Sequence, residues 1–214
     1  MPARFRRALA ATARRGVGRV AKAVLPDAWQ AQSTGWCCGP ASARIALTCR
    51  GVYVSQSQLI SEIGTDGDGT DYVGLITPIL TEHTGAQYWA YYPGAGTAAI
   101  VWSNIRASID AGFALVVNIV SSPSNVKAPG YPASTIWHYV CVVGYDPGTR
   151  EVIVADPAYF SGISHWRMGI ESFVKMIVWQ GKGYTGRPVA SNLLGMTTTE
   201  LTAFADGLRQ LGAS

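Results

Sequence analysis

Four residues of types that catalyse hydrolysis follow one another along this 214-residue chain: Gln32, Cys38, His138 and Asp156. A cysteine thiolate is a nucleophile, and a histidine takes up and returns a proton near neutral pH. A carboxylate fixes the tautomer of the imidazole, and a side-chain amide beside the sulfur donates to an oxyanion. Together these residue types indicate nucleophilic attack on a carbonyl by a cysteine hydrolase.

The sequence predicts that Cys38 lies at the start of a helix. Pro40 suits a first helical turn, a run of small and apolar residues follows it, and Gly51 supplies a stop. The unpaired N–H groups and the dipole at a helix N-terminus stabilise an anion and lower the pKa of a thiol. Cysteine is also often an inert core residue, so this segment alone leaves both interpretations open.

The neighbouring Cys37 is the competing candidate for the nucleophile. Cys38 is preferred because a glycine directly follows it and because it lies six residues after Gln32. The four cysteines include no Cys-x-x-Cys pair, so neither a metal site nor another cofactor is predicted. Free thiols are expected, with a disulfide to Cys49 as the alternative.

The residues His138 and Asp156 flank a predicted β-hairpin whose turn has the sequence Asp-Pro-Gly. If Tyr145 pairs with Glu151, then Asp156 is the diagonal neighbour of His138 on one face of the hairpin. A shift by two residues places the two side chains directly opposite each other. A slip by one residue would put them on opposite faces.

Other polar residues are interpreted as structural. No comparable acidic partner is evident for His83 or His165, so neither is expected to be catalytic. The acidic, glycine-rich residues 64–71 resemble a calcium loop only faintly, because position 12 counted from Asp66 is Thr77 and not glutamate. A structural loop is predicted there.

The elements that must position the four site residues follow from hydrophobic periodicity. Helices are predicted for residues 38–50, 55–63, 72–82 and 97–112, and strands for residues 87–92 and 113–120 as well as for the hairpin. Residues 121–135 form a long loop that leads to His138, and loops of this length are often functional. Residues 166–179 mix strand and helix patterns, and residues 181–188 are predicted to be a loop.

Composition indicates a globular protein with an unusual distribution of charge. Hydrophobic residues make up 48% of the chain and charged residues 14%, and no apolar run is long enough for a transmembrane segment. Seven basic residues precede the first acidic residue, Asp27. Three parts are therefore predicted: a basic arm at residues 1–27, the main domain at residues 28–190 and an amphipathic C-terminal helix at residues 191–214.

For the basic arm, the alternatives are a solvated tail and a segment that adheres to an anionic membrane or wall polymer. No aromatic residues alternate with the basic ones, so nucleic acid is not expected as a partner. The pair Arg14-Arg15 interrupts the apolar stretch that a signal peptide needs, and synthesis in the cytoplasm without a signal peptide is therefore expected.

The ordered motifs resemble the papain-like cysteine peptidases of the bacteriocin-leader-processing type. In that family a glutamine is followed after five residues by Cys-Gly, later by His-Tyr-Val and then by Asp-Pro, and all four positions match here. The resemblance implies an α+β, papain-like fold. A helical part with the nucleophile helix would pack on a mostly antiparallel sheet that carries the histidine and the aspartate.

Longer stretches, beginning at Trp36, Gly69, His138 and Ala155, are similar to the peptidase domain of mycobacteriophage endolysins (lysin A). This similarity implies that Cys38 attacks a peptide carbonyl, His138 is the base and then the acid, and Asp156 orients His138. The amide of Gln32 and the backbone N–H of Cys38 would form the oxyanion hole.

The implied substrate is the peptide part of mycobacterial or other actinobacterial peptidoglycan, cut at the cell wall during host lysis. Endolysins of this type usually carry a further catalytic domain and a wall-binding domain, and this sequence shows neither. The alternatives are a leader- or protein-processing cysteine peptidase and a non-catalytic virion or binding module on the same fold.

Overall fold

The structure is a computed structural model that describes residues 22–91, 98–177 and 183–186. Its strands are β1 (Ala23–Val24), β2 (Trp89–Tyr91), β3 (Leu115–Ser121), β4 (Ile136–Asp146), β5 (Glu151–Ala155), β6 (His165–Gly169) and β7 (Tyr184–Gly186). Its α-helices are α1 (Cys38–Thr48), α2 (Gln56–Ile63), α3 (Ile76–Thr84), α4 (Ala98–Asp110) and α5 (Ile170–Met176). Short 3₁₀ helices occur at Val73–Leu75 and Phe160–Gly162.

These strands form a single seven-stranded sheet in which each pair is antiparallel. The order is β2-β7-β3-β4-β5-β6, and β1 pairs with β4 beside this path. Strand β4 has eleven residues and pairs with β1, β3 and β5, so it lies at the centre of the sheet. Strand β4, which carries His138, is therefore hydrogen-bonded to neighbouring strands along both of its edges.

Helices cover both faces of the sheet. Apolar residues of α1, α2 and α3 form one buried cluster with Val116 and Cys141, and those of α4 and α5 form another with Val117 and Val142. Consecutive residues of a strand point to opposite faces, so Val116 and Val117 enter different clusters. Burial on both faces explains why residues 113–120 read as a continuous apolar run.

The helix boundaries follow local signals in the sequence. Helix α1 begins at Cys38, and Gly51 adopts a φ of 72° just after the helix ends, as its predicted role as a stop requires. The hydroxyl of Ser55 accepts the N–H of Gln58 and caps α2 at its N-terminus, while Gly64 ends that helix with a φ of 74°.

Two segments with ambiguous patterns are resolved by long-range pairing. Residues 166–179 divide into β6 and α5, which accounts for their mixed pattern. The prediction of a loop at residues 181–188 is wrong for Tyr184–Gly186, which form β7 between β2 and β3. A three-residue strand that ends in glycine has no local signal, since it is stabilised by partners about 70–100 residues away in sequence.

At its turn, the hairpin of β4 and β5 differs from both registers that would place His138 and Asp156 on one face. Tyr145 pairs with Val152 and not with Glu151, which is a slip by one residue. If this slip continued along the hairpin, His138 and Asp156 would lie on opposite faces. The structure therefore has neither of the two registers considered from the sequence at the turn itself.

A β-bulge between Val142 and Gly144 restores the shared face of the two site residues. The extra residue of β4 shifts the register, so that Cys141 pairs with Ala155 farther from the turn. With this pairing the side chain of His138 lies on the same face as that of Asp156, as the sequence predicted. The bulge thus decides whether the histidine and the carboxylate meet.

The predicted arm and C-terminal helix lie largely outside the described residues. Of residues 1–27, only 22–27 are described, and among them β1 pairs with β4. The whole of residues 191–214 lies outside the described ranges. Among the helices of residues 22–91 and 98–177, none has the length and apolar character needed to cross a membrane.

Candidate active site

The side chains of Cys38, His138 and Asp156 meet where the N-terminus of α1 approaches the ends of β4 and β5. The Nε2 atom of His138 is 3.0 Å from Oδ1 of Asp156, and His138 is also hydrogen-bonded to the thiol of Cys38. Because Nε2 faces the carboxylate, Nδ1 is the nitrogen available to the sulfur. The structure therefore brings three of the four predicted residues into one hydrogen-bonded chain.

The surroundings of Cys38 favour its thiolate. Burial acts to raise the pKa of this thiol, but the hydrogen bond and charge of His138 and the backbone N–H groups of Tyr139 and Gly39 bring it below its usual value. The N–H of Gly39 belongs to the first turn of α1, so the predicted helix N-terminus contributes directly. The strand that carries the histidine contributes the second backbone donor.

The imidazole of His138 is held in its charged form. Burial alone would lower its pKa, but the hydrogen bonds to Asp156 and Cys38 and their negative charges raise the pKa to about 9. The lowered thiol pKa and the raised imidazole pKa both favour the thiolate–imidazolium form of the pair over the neutral form. In that form the pair supplies a nucleophile and a proton donor.

The carboxylate of Asp156 is 1% exposed and accepts four hydrogen bonds. Its Oδ1 accepts from His138 and from the N–H of Ala158 at 2.9 Å, and its Oδ2 accepts from the hydroxyl of Tyr131 at 2.7 Å and from the indole of Trp166 at 2.9 Å. Burial raises the pKa of Asp156, yet these hydrogen bonds lower it below its usual value. The carboxylate therefore stays ionised and fixed in orientation.

Sequence reasoning missed both Tyr131 and Trp166. Tyr131 lies in the long loop at residues 121–135, whose length was the available signal that it contributes to function. Its ring also packs against Phe160, with centroids 4.6 Å apart. Trp166 lies on β6 and reaches Asp156 only because β5 and β6 pair, so no local pattern could have identified it.

The loop that carries Gln32 is anchored beside the aspartate. The N–H of Gln32 donates to the carbonyl of Pro157 at 2.9 Å, and its Nε2 donates to the carbonyl of Thr34 at 2.8 Å. Its Oε1 is buried and has no hydrogen-bond partner within the described part of the chain. The amide nitrogen has a second N–H, and its use as an oxyanion donor stays a prediction.

The second thiol, Cys37, contacts the loop that carries Gln32 and helix α2. Its Sγ accepts the N–H of Thr34 at 3.3 Å and lies 3.5 Å from Oε1 of Gln56. Burial acts to raise the pKa of Cys37, and hydrogen bonds within the loop lower it below its usual value. A lowered pKa therefore does not distinguish the thiols, whereas contact with His138 favours Cys38.

The remaining thiols and histidines lie outside this arrangement. All four cysteines are free, so the predicted free thiols are confirmed and the alternative disulfide to Cys49 is wrong. Burial raises the pKa of Cys49 to about 12. The Nε2 atom of His83 is 2.7 Å from Oε2 of Glu62, and the Nε2 atom of His165 is 3.2 Å from Oδ2 of Asp27. Both histidines therefore have acidic partners that the sequence did not reveal.

The loop at residues 64–71 closes against the first turn of α1. A Cβ added to Gly39 would clash with Oγ1 of Thr70, so the residue after Cys38 must be glycine for the two segments to approach. The hydroxyls of Thr65 and Thr70 are 2.7 Å apart. No cluster of three or more potential metal ligands is found in the part of the chain that the structure describes.

The fold and the site define a class, the papain-like cysteine peptidases. The model of the Peptidase_C39 like family matches residues 25–186, so the chain belongs to this family of cysteine peptidases. A comparison with curated proteins gave no match.

One of three similar solved structures supports the fold. A protein described as a C39-like peptidase from Bacillus anthracis is 15% identical, with a TM-score of 0.54, and the alignment covers 79% of this chain and 98% of that one. The peptidase domain of Streptococcus ComA, a bi-functional ABC transporter, is 18% identical over 74% and 97% of the chains, with a TM-score of 0.49. A double glycine motif protease from an AMS/PCAT transporter is 14% identical over 76% and 91%, with a TM-score of 0.48. The predicted α+β, papain-like fold is confirmed.

Proposed function

We propose that the protein is a cysteine endopeptidase in which Cys38 is the nucleophile, His138 the general base and acid, and Asp156 the residue that orients His138. The hydrogen-bonded chain from the sulfur through the imidazole to the carboxylate carries this proposal. Residues that only filled a core would have no need of a buried carboxylate with four donors.

In the first half of the reaction, the thiolate of Cys38 attacks the carbonyl carbon of a peptide bond. The carbonyl oxygen becomes an oxyanion, which the backbone N–H of Cys38 and the amide of Gln32 stabilise. The imidazolium of His138 gives its proton to the leaving amine as the C–N bond breaks. The products of this half are a thioester on Cys38, a free amine and a neutral imidazole.

In the second half, water attacks the thioester. Neutral His138 takes a proton from the water, the C–S bond breaks and the carboxylic acid product leaves. The carboxyl proton passes to solvent, and the thiolate and the imidazolium are restored. Asp156 keeps the imidazole in the same orientation through both halves.

For the substrate, we propose the peptide part of mycobacterial or related actinobacterial peptidoglycan, and for the biological role a phage endolysin that lyses the host cell. The similarity to mycobacteriophage endolysins supports this choice. Two of the similar stretches, those beginning at Trp36 and Gly69, meet beside the nucleophile through Gly39 and Thr70. The enzyme would be made in the cytoplasm and act at the wall, where residues 1–27 would contact anionic polymer.

The second candidate is a leader- or protein-processing cysteine peptidase. Membership of the Peptidase_C39 like family supports a peptidase of this kind. The same hydrogen-bonded site would also serve any accessible peptide bond, so it does not require a wall peptide. A non-catalytic module on this fold is disfavoured, since such a module would not need an ionised Cys–His–Asp chain.

The test compares the purified protein with Cys38→Ala on mycobacterial peptidoglycan and on a peptide with a Gly-Gly leader, with products identified by mass spectrometry. Release of wall peptides by the wild type alone supports the endolysin role. Cleavage of the leader peptide alone favours the second candidate. Failure to cleave either substrate, or equal cleavage by both proteins, would overturn the proposed mechanism.

A further inference from the structure

A buried glutamine on α2 holds the loop that carries Gln32. Gln56 is 7% exposed, and its Oε1 accepts the N–H of Ser33 at 2.9 Å. Its Nε2 donates to the carbonyl of Ala31 at 2.8 Å. The single carboxamide of Gln56 therefore binds the backbone on both sides of Gln32.

The same carboxamide makes two further contacts with this loop. Its Nε2 lies 3.2 Å from Oε1 of Gln30, and its Oε1 lies 3.5 Å from Sγ of Cys37. Residues 31–37 form neither helix nor strand, so they lack the backbone ladder that would otherwise fix them. Gln56 thus spans the loop from residue 30 to the residue directly before Cys38.

The side chain of Gln56 is not needed by its own helix. Ser55 already caps α2 by accepting the N–H of Gln58 at 3.1 Å. A buried amide that leaves its donors and acceptors unpaired is costly, and each partner of Gln56 given above lies in the loop at residues 30–37. The burial and the hydrogen bonds of Gln56 therefore serve the loop.

We propose that Gln56 is a positioning residue that fixes the backbone at residues 31–33 and so directs the amide of Gln32 towards the oxyanion. With the carbonyl of Ala31 and the N–H of Ser33 both held, the backbone of Gln32 has little freedom to rotate. This inference rests on the proposed function, because it requires Gln32 to act as an oxyanion donor. A donor displaced by about 1 Å loses roughly 10²-fold in rate.

The first experiment measures kcat and KM for Gln56→Leu, which removes the carboxamide while keeping a similar volume. Gln56 also lines an open cavity of about 490 Å³, so the branched side chain has room. We expect kcat to fall by about 10- to 100-fold with little change in KM. Gln58→Leu, an exposed position on the same helix, is the matched control and should keep wild-type kcat.

A double-mutant cycle separates positioning from general loss of stability. In the Gln32→Ala background, Gln56→Leu should cause less than about a threefold further loss, because it acts through an amide that is already absent. The rate of alkylation of Cys38 at each pH should not change, since Gln56 contacts neither Cys38 nor His138 in the network above. Full loss in both backgrounds, or wild-type kcat in Gln56→Leu, would overturn the proposal.

Hydrogen exchange of the Ser33 amide gives a readout that does not depend on catalysis. Faster exchange in Gln56→Leu than in Gln58→Leu is expected, because the amide loses its acceptor. Unchanged exchange would refute the positioning role even if the wild type proved inactive on every substrate, an outcome that would refute the proposed function separately. If Gln56→Leu does not fold, Gln56→Asn serves instead, since its shorter side chain cannot reach Ala31 and Ser33 together.

Discussion

The two sides of the candidate active site are built differently. On the hairpin side, His138 is 4% exposed and Asp156 is 1% exposed, and paired strands and four hydrogen bonds fix them. On the loop side, Gln32 lies in a segment without helix or strand, held by one backbone hydrogen bond to Pro157 and by the carboxamide of Gln56.

The two sides differ because they stabilise charges that exist at different stages of the reaction. The hairpin side must stabilise an imidazolium in the resting enzyme, so it needs a permanent, fully paired carboxylate in a buried position. The loop side has to meet an oxyanion that exists only during the reaction, so its donor has no permanent charge to hold. Substitutions on the two sides should therefore have different signatures in rate and in pH dependence.

Loss of the sulfur that joins the two sides should have the largest effect. Cys38→Ala is expected to lower kcat/KM by at least about 10⁴-fold, because no other group replaces the nucleophile. Cys37→Ala is the matched control and should cost less than about tenfold, since its thiol contacts Thr34 in the loop and Gln56 on α2. Peptide release measured by mass spectrometry checks both variants, and the opposite ranking would assign the chemistry to Cys37.

On the hairpin side, Asp156→Asn should lower kcat/KM by about 10³-fold. A neutral amide no longer favours the imidazolium, so the pKa of His138 should fall from about 9 towards its usual value. The pKa of the Cys38 thiol should rise in turn, because its cationic partner is lost more readily. The pH profile of kcat/KM checks this, and an alkaline limb that does not move would count against the role of the carboxylate.

On the loop side, Gln32→Ala should lower kcat by about 10²-fold without moving either limb of the pH profile. The amide of Gln32 does not set the charge of the thiol or of the imidazole, so their titration should be unaffected. This combination distinguishes an oxyanion donor from a residue of the ion pair. A shifted profile with unchanged kcat would contradict the proposed division between the two sides.

A smaller effect is expected from Tyr131→Phe, which removes one of the four donors to Asp156 and keeps the ring packed against Phe160. Three donors remain, so we expect a loss of about tenfold in kcat/KM and a slightly higher pKa for Asp156, whose carboxylate loses one donor. Steady-state kinetics as a function of pH measure both quantities. Wild-type behaviour would show that the hydroxyl of Tyr131 is not needed to hold the carboxylate.

Local chemistry explains what the sequence could predict. The positions of Cys38 at a helix N-terminus and of Gly51 as a stop both depend on residues close in the chain. The shared face of His138 and Asp156 also followed from strand alternation. These features require only periodicity, capping and turn rules.

Features that depend on distant partners could not be predicted. The bulge between Val142 and Gly144 corrects the slipped register at the turn, and its effect on His138 depends on the pairing of β4 with β5. Strand β7 exists because it fits between β2 and β3, and Trp166 reaches the carboxylate only across paired strands. The role of Gln56 likewise depends on how α2 packs beside the loop.

The most direct test of the account is the rate at which iodoacetamide alkylates Cys38 between pH 4 and pH 10 in a variant that lacks the other cysteines. We predict a thiolate that is already reactive well below the usual pKa of a cysteine, and we predict that His138→Ala returns the profile to that of an ordinary thiol. A wild-type Cys38 that titrates like a free cysteine, with no change in His138→Ala, would contradict the thiolate–imidazolium pair on which the proposed peptidase depends.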